Sequence, residues 1–596
     1  MNCSEIYNYE SFRQEAANLL SATSNCLSLV VARERLCQRI LQTYNDLCAN
    51  AATVWSHKIL RSRDCMQAFI SVLQARSDDL TGFSVAQALL DISAHRPRPD
   101  LQPGFFAEMT NWIKGLEGRS SFEYFGNAGI DDQLIGPLTA VERSDSLDQL
   151  WYRMESCMAR FADGLSQESI ARRAENRKRV LAELGGQIQD WHDWQWQTRH
   201  IITGADLLSQ IIKLSEEERT NINRARNGRL PFGITPYYLS LLDYDADRTR
   251  DSSLRAQVIP PKDYVDLMLQ HRSNRKTACD FMLESDTSPV DHIVRRYPGI
   301  VILKPCNTCP QICVYCQRNW EIEEAMSPNA MASSESIQAA IDWIRQHPAI
   351  HEVLVTGGDP LVMTDEQLEH ILGLLAAIPH INMVRIGTRT LVTLPMRITG
   401  ELARMLARFR KIGQRQIALV THVQHVYEIT PDMADAVDVV RREGISVYNQ
   451  QVYTFYVSRR FETAYLRLLL RRIGIDPYYT FAPKGKEEIM SYRVPLARIF
   501  QEQKEEARLI PGLSRTDESV FNIPGLGKNY LRARQHRDLL TVLPNGSRVY
   551  EFHPWEKNIS PCKTYIATDV PILDYLLRLE AIGERIQDYS SIWYYI

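Results

Sequence analysis

Lys304-Pro305-Cys306-Asn307-Thr308-Cys309-Pro310-Gln311-Ile312-Cys313-Val314-Tyr315-Cys316-Gln317-Arg318-Asn319-Trp320 follows directly on the apolar run Ile300 to Leu303. Cys309, Cys313 and Cys316 stand at C-x3-C-x2-C spacing in a loop after a strand-like segment, so three thiolates can converge on one metal centre. Three thiolates leave one iron of a four-iron cube without a protein ligand and open to a small molecule. Cys306 extends the set to C-x2-C-x3-C-x2-C, and four thiolates would equally close a ferredoxin-like cluster or a structural zinc site.

Outward from this loop the chain alternates strand and helix. Apolar strand candidates lie at 300–304, 350–356, 383–388, 417–422, 445–453 and 476–482. After the second, Thr364 can cap a helix with Gln367 at the capping-box position, and Leu368, Ile371, Leu372 and Leu375 give its buried face. After the fourth, Thr430-Pro431 opens a helix and Gly444 ends it. Six βα units in a row predict a parallel sheet, curled into a partial barrel or doubly wound, with a site at the carboxyl ends of its strands.

Polar motifs fall at those ends. Val355-Thr356-Gly357-Gly358-Asp359-Pro360 follows the second strand, where glycines permit close backbone approach and Asp359 could take an ammonium or order the turn. Arg385-Ile386-Gly387-Thr388-Arg389, Thr421-His422 and Tyr448-Asn449-Gln450-Gln451 end the next three. Together they suggest a pocket fit for ribose, phosphate and carboxylate. Further on, Phe521-Asn522-Ile523-Pro524-Gly525-Leu526-Gly527-Lys528 sets a lysine after a Gly-x-Gly turn, where it could bind an anion, bond to an aldehyde cofactor or simply be solvated.

The bulk numbers fit an ordinary globular protein: 596 residues, 44% hydrophobic, 24% charged and a net charge of -3. Nothing in that balance favours nucleic acid as a partner. Eight of the twelve cysteines are scattered outside the loop with no disulfide framework. The N-terminus lacks a basic region followed by an apolar one, and no apolar run approaches the ~18 residues of a membrane span, so a cytoplasmic protein with no membrane partner is expected.

Residues 1–185 read as an N-terminal helical domain. Cys37, Ile40, Leu41 and Tyr44 fall at i, i+3, i+4, i+7, with Leu47 and Cys48 extending a stripe expected to be core. His57 and His95 are isolated. Gly185-Gly186 is the expected joint, followed by a helical lead-in at 186–298, the barrel at 299–484 and a C-terminal segment at 485–596.

Taken together, the Trp194-Gln195 segment, Thr235-Pro236-Tyr237-Tyr238-Leu239-Ser240-Leu241, Arg296-Tyr297-Pro298, the cysteine loop, Gly357-Gly358-Asp359, Arg385 to Thr390, Thr421-His422, Asn449-Gln450 and Pro477-Tyr478-Tyr479 resemble the lysine 2,3-aminomutase family over about residues 190 to 556. These are radical S-adenosylmethionine (SAM) enzymes that also carry pyridoxal 5'-phosphate (PLP). The resemblance implies an α/β fold with a partial (β/α)6 barrel, an all-α N-terminal extension and a C-terminal segment bearing the PLP lysine. It implies an isomerase whose SAM-derived radical takes hydrogen from substrate C3 while the α-amino group migrates there, giving a β-amino acid.

Carried over by position, Cys309, Cys313 and Cys316 bind a [4Fe-4S] cluster, Lys528 holds PLP, and Arg318 clamps the substrate α-carboxylate. Arg296 and Tyr297 stand beside PLP, and Gly357, Gly358, Asp359, Arg389, His422, Asn449 and Gln450 are expected in cofactor binding. Lys484 and Asn522 stand where the family's lysine enzymes carry two aspartates that grip the distal ammonium, a replacement that suits an acidic, glutamate-like side chain. An amino acid substrate, an electron donor such as flavodoxin or ferredoxin and a homo-oligomer are the expected partners. The alternatives are a lysine 2,3-aminomutase, a PLP-independent radical SAM enzyme on the same scaffold, and an electron-transfer or scaffold protein with a closed four-thiolate site. The glycine run before the lysine is interrupted as Gly525-Leu526-Gly527, and residues 1–185 and Cys306 fall outside the resemblance.

Overall fold

The computed structural model describes residues 6–24, 26–50, 57–120, 125, 137–245, 250–483, 487–554 and 564–596. Lys484 lies outside them. The chain divides into two units: residues 154–493 with 510–527, and residues 1–153 with 494–509 and 528–596. These boundaries cut across the four segments expected from sequence. Gly185-Gly186 is a helix stop inside the larger unit: Gly185 takes φ 66° and the Gly186 amide donates to Leu181 O at 2.8 Å, closing the helix Gln167–Glu183.

The larger unit is built on strands β1 (Ile293–Tyr297), β2 (Ile300–Cys306), β3 (Glu352–Gly357), β4 (Met383–Gly387), β5 (Gln416–Thr421), β6 (Ser446–Val452), β7 (Asp476–Phe481) and β8 (Glu518–Ile523). They lie side by side in chain order, β1 antiparallel to β2 and all later neighbours parallel. A doubly wound sheet must reverse its strand order at a switch point. This order never reverses, so the crossovers β2 to β7 all progress in one direction, as in a partial (β/α)6 barrel. The six expected strands are β2 to β7, each within two residues at either end. β1 and β8 are additions.

The period of two along each strand sorts the residues into layers. Val301, Leu303, Val353, Val355, Val384, Ile386, Ile417, Leu419 and Val447 are buried in one apolar cluster with helix residues such as Ile341, Leu368, Leu372, Leu402, Val437 and Leu469. Leu354, Thr356, Val420, Gln450 and Val452 turn to the other face and line a cavity. The helix Asp365–Ala376 starts with the predicted capping box, Thr364 and Gln367 exchanging bonds, and buries Leu368, Ile371, Leu372 and Leu375. Thr430 caps the helix Pro431–Arg442, and Gly444 follows its end at φ 72°.

The smaller unit contains the helices Leu29–Asn50, His57–Val72, Val85–Ser93 and Pro103–Leu116, residues 528–530 of a short strand β9 (Gly527–Tyr530), and an antiparallel sheet of β10 (Arg537–Val542), β11 (Arg548–Phe552) and β12 (Tyr565–Thr568). Its core holds a buried ion pair between Arg548 and Glu108, and Arg548 also donates to Trp593 O at 2.7 Å. In the helix Leu29–Asn50 the buried positions are Ala32, Leu36 and Ile40, while Leu41 is 42% exposed. The expected stripe is therefore corrected by a rotation about the axis: only Ile40 belongs to the buried face, because the partners contact a narrow i, i+4 row.

Candidate functional site

A cavity of about 240 Å³ lies at the carboxyl ends of the parallel strands, walled by Cys309, Cys313, Cys316, Gly357, Gly358, Asp359, Arg389, His422 and Gln450, with Arg318 and Asn522 also on its lining. The sequence-named residues of the core unit thus converge with few exceptions. The cysteine loop is pinned at intervals: Asn307 N donates to Ala330 O at 2.9 Å, Ile312 N to Gly233 O at 3.0 Å and Val314 N to Gln257 O at 2.9 Å.

The glycines after β3 serve this loop. The Gly358 amide donates to Cys306 O at 2.7 Å and the Asp359 amide to Thr308 O at 2.9 Å. A Cβ on Gly357 would meet Cys306 O at 2.7 Å, and one on Gly358 would fall inside van der Waals contact with Thr308. Close approach here is between two protein loops, which brings the turn after β3 against the cysteines.

Asp359 orders the end of β4. Its carboxylate accepts from Thr388 Oγ1 at 2.7 Å, Arg389 N at 2.8 Å, Thr390 Oγ1 at 3.0 Å and Leu361 N at 3.1 Å. Of the two sequence readings of Asp359, the geometry favours turn ordering over ammonium binding. The donors it holds deliver Arg389 to the cluster loop: Nη1 lies 2.7 Å from Cys313 Sγ, Nε 3.2 Å from His422 O and Nη2 2.8 Å from the buried Glu428 carboxylate. Tyr238 OH donates to the same carboxylate at 2.7 Å and presents its ring to the guanidinium at 5.5 Å.

The donor set fits an iron–sulfur cluster with three protein ligands. Three thiols share one cavity, while Cys306 turns its Sγ to Asp359 O at 3.5 Å and is absent from the lining. Burial pushes the Cys306 thiol up to about 12, with the Asp359 charge adding to it. Burial also pushes Cys309 and Cys313 up, and for Cys313 the Arg389 cation pulls partly the other way. A bound metal supplies the remaining positive charge that makes such thiols ligands. His422 is pushed down to about 4 by burial and then by Arg389, so it is neutral at ordinary pH.

Four sequence-named residues among those described, Asn449, Lys528, Arg296 and Tyr297, stand elsewhere. Asn449 bonds the backbone of Val423 through both amide atoms, at 2.7 and 3.1 Å, and period two sets it on the helix-facing layer while its neighbour Gln450 reaches the cavity. Lys528 is half-buried on β9, the first residue of its stretch of the smaller unit. Arg296, half-buried at the end of β1 beside Tyr297, donates to Met282 O at 2.6 Å and to Gly525 O. Sequence reading missed Glu284, which pairs with Arg318 at 2.8 Å, and Glu428. Neither carries a local motif.

A sequential parallel sheet with three cysteines in the loop after its first parallel strand, backed by a glycine turn at the next, defines a radical SAM protein. The profile of the Radical SAM superfamily matches residues 303–453. An uncharacterised KamA family protein of Methanocaldococcus jannaschii is 41% identical over 550 residues, 89% of this chain and 88% of that one. The glutamate 2,3-aminomutase of Clostridioides difficile is 35% identical over 321 residues, 53% of this chain and 70% of that one. The L-lysine 2,3-aminomutase of Clostridium subterminale is 33% identical over 310 residues, 52% and 70%. The chain belongs to the KamA family of radical SAM proteins. The family implies a [4Fe-4S] cluster, SAM and PLP as its cofactors.

Proposed function

We propose that this protein is a PLP-dependent radical SAM amino acid 2,3-aminomutase whose substrate is acidic, with glutamate the first choice. When bound, the cluster and SAM supply a hydrogen-abstracting radical, and PLP carries the amino group between neighbouring carbons. Cys309, Cys313 and Cys316 hold the cluster, and Arg389 fixes the charge and position of the loop through Cys313 and Glu428. Arg318 holds the α-carboxylate with its planar donor pair. Val420, Val452, Ala482 and Ile489 keep water from the reacting carbons.

PLP dependence rests on two features. Gly525 and Gly527 take φ 68° and 86°, so the turn before Lys528 uses the backbone freedom of both glycines despite the intervening Leu526. Arg296 bonds a carbonyl of that turn and has no carboxylate partner among the described residues, which leaves its charge for a phosphate. Lys528 is the lysine that would hold PLP.

One observation carries the substrate class. Among the described residues lining the cavity the single carboxylate is Asp359, and four protein donors occupy it, so none of these residues offers a free carboxylate to a distal ammonium. Asn522, 6% exposed, offers an amide instead. With about 2 to 5 kcal/mol at stake for an unpaired buried charge, lysine is disfavoured. Anaerobic incubation of reconstituted protein with SAM, PLP and dithionite should convert glutamate to its β-isomer; turnover of lysine alone would refute the assignment. Borohydride reduction should fix PLP on the peptide containing Lys528.

A further inference from the structure

Arg318 lines the cavity, yet it already has a carboxylate partner. Its Nε lies 3.2 Å from one oxygen of Glu284 and its Nη2 2.8 Å from the other, with side chains 13% and 4% exposed. Lys304 Nζ approaches the same carboxylate at 3.5 Å and pairs with Glu321 as well, while Gln317 Nε2 stands at 3.4 Å.

Glu284 is itself held from behind. Its amide donates to Asp280 Oδ1 at 2.9 Å and the next amide to Asp280 Oδ2 at 3.1 Å, and the preceding Leu283 takes φ 51°. A guanidinium has two edges able to grip a carboxylate in bidentate fashion, Nε with Nη2 and Nη1 with Nη2. Glu284 takes the first, and Nη1 has no partner among the described residues. Lys304 offsets part of the Glu284 charge, so the guanidinium keeps its attraction for a second anion.

We infer that Glu284 is a positioning residue: by locking the Nε/Nη2 edge of Arg318 it turns the Nη1 edge to the cavity, where it receives the α-carboxylate of the amino acid substrate. This rests on the proposed aminomutase reading. It also opposes the other role open to Glu284, that of an internal competitor for Arg318. A positioned guanidinium binds a carboxylate with less ordering cost than a free one, so removing Glu284 weakens binding, whereas removing a competitor strengthens it.

The test is calorimetric titration of the holoprotein, reconstituted with cluster, SAM and PLP, with L-glutamate and with its α-amide, isoglutamine. Wild type should bind glutamate at least tenfold more tightly than isoglutamine. Glu284→Gln should weaken glutamate tenfold or more, leave isoglutamine unchanged, and keep the iron content and visible spectrum of the wild type. Glu284→Asp, which keeps the charge on a shorter arm, should fall between and reads the same loss if the glutamine variant does not fold. A wild type that binds both ligands alike overturns the α-carboxylate clamp and this inference with it. A discriminating wild type beside a Glu284→Gln variant that discriminates equally, or binds glutamate more tightly, overturns the inference alone.

Discussion

Nη1 of Arg389 lies 2.7 Å from Sγ of Cys313, and Nη2 of the same guanidinium lies 2.8 Å from the fully buried carboxylate of Glu428. One cation therefore joins a cavity cysteine, proposed above as a cluster ligand, to a charge with no access to water. Removing it leaves the buried Glu428 charge with hydrogen bonds from Tyr238 OH and the Gln424 and His425 amides but no cation, at a cost of up to about 3–5 kcal/mol. Arg389→Met should lower the unfolding free energy of the cluster-free protein by about that much, measured by denaturant titration, and Arg389→Met with Glu428→Gln should recover most of it.

Cys306 and the three cavity cysteines should part company on substitution. Cys306→Ala should keep about four irons per chain and the spectrum of the reduced cluster, since its Sγ bonds Asp359 O. Alanine at Cys309, Cys313 or Cys316 should remove the cluster. Iron analysis with electron paramagnetic resonance decides, and loss of iron in Cys306→Ala would restore the closed four-thiolate reading.

Gly358 has Thr308 backbone where a side chain would begin. Gly358→Ala must push the cysteine loop away from the turn after β3, and overpacking of this kind costs about 1–3 kcal/mol. The expected outcome is a lower melting temperature together with poor cluster incorporation, whereas alanine at Gly413, which has no heavy atom within 4 Å of its Cβ position but takes φ 75°, should destabilise through backbone strain and leave the cluster intact.

His422 titrates near 4 in the folded protein because of burial and the adjacent Arg389, against about 6.5 when unfolded. The unfolded chain thus binds the proton first as pH falls. The stability tied to neutral His422 is complete above about pH 6.5 and is lost progressively down to pH 4, on the order of 3 kcal/mol in all. His422→Gln should flatten that part of the stability–pH curve, followed by chemical denaturation between pH 4 and 7.

The βα alternation was legible because each parallel strand is a buried apolar run and each crossover helix carries start and stop residues. β1 and β8 were not, since Arg295 and Arg296 interrupt one and Glu518 and Asn522 the other, so neither has an apolar run to find. The cysteines, the glycine turn, Arg389, His422 and Gln450 were legible from their place at strand ends. Asn449 was misplaced by one step of the period-two alternation. Glu284 and Glu428 lie 34 and 39 residues from the arginines they hold, and no local pattern records a pairing that only the fold creates.

The covalent path between the two units has a consequence for biosynthesis. Residues 1–153 leave the ribosome well before 494–509 and 528–596, the other parts of the same unit, with residues 154–493 of the larger unit synthesised between. At ordinary elongation rates the helical half waits roughly 20–70 s for its complement. No single cut separates the units either: a truncation at Gly186 strips residues 1–153 from the smaller unit and 154–185, with the core residues Phe161, Val180 and Leu181, from the larger, so one cut leaves both units unfinished.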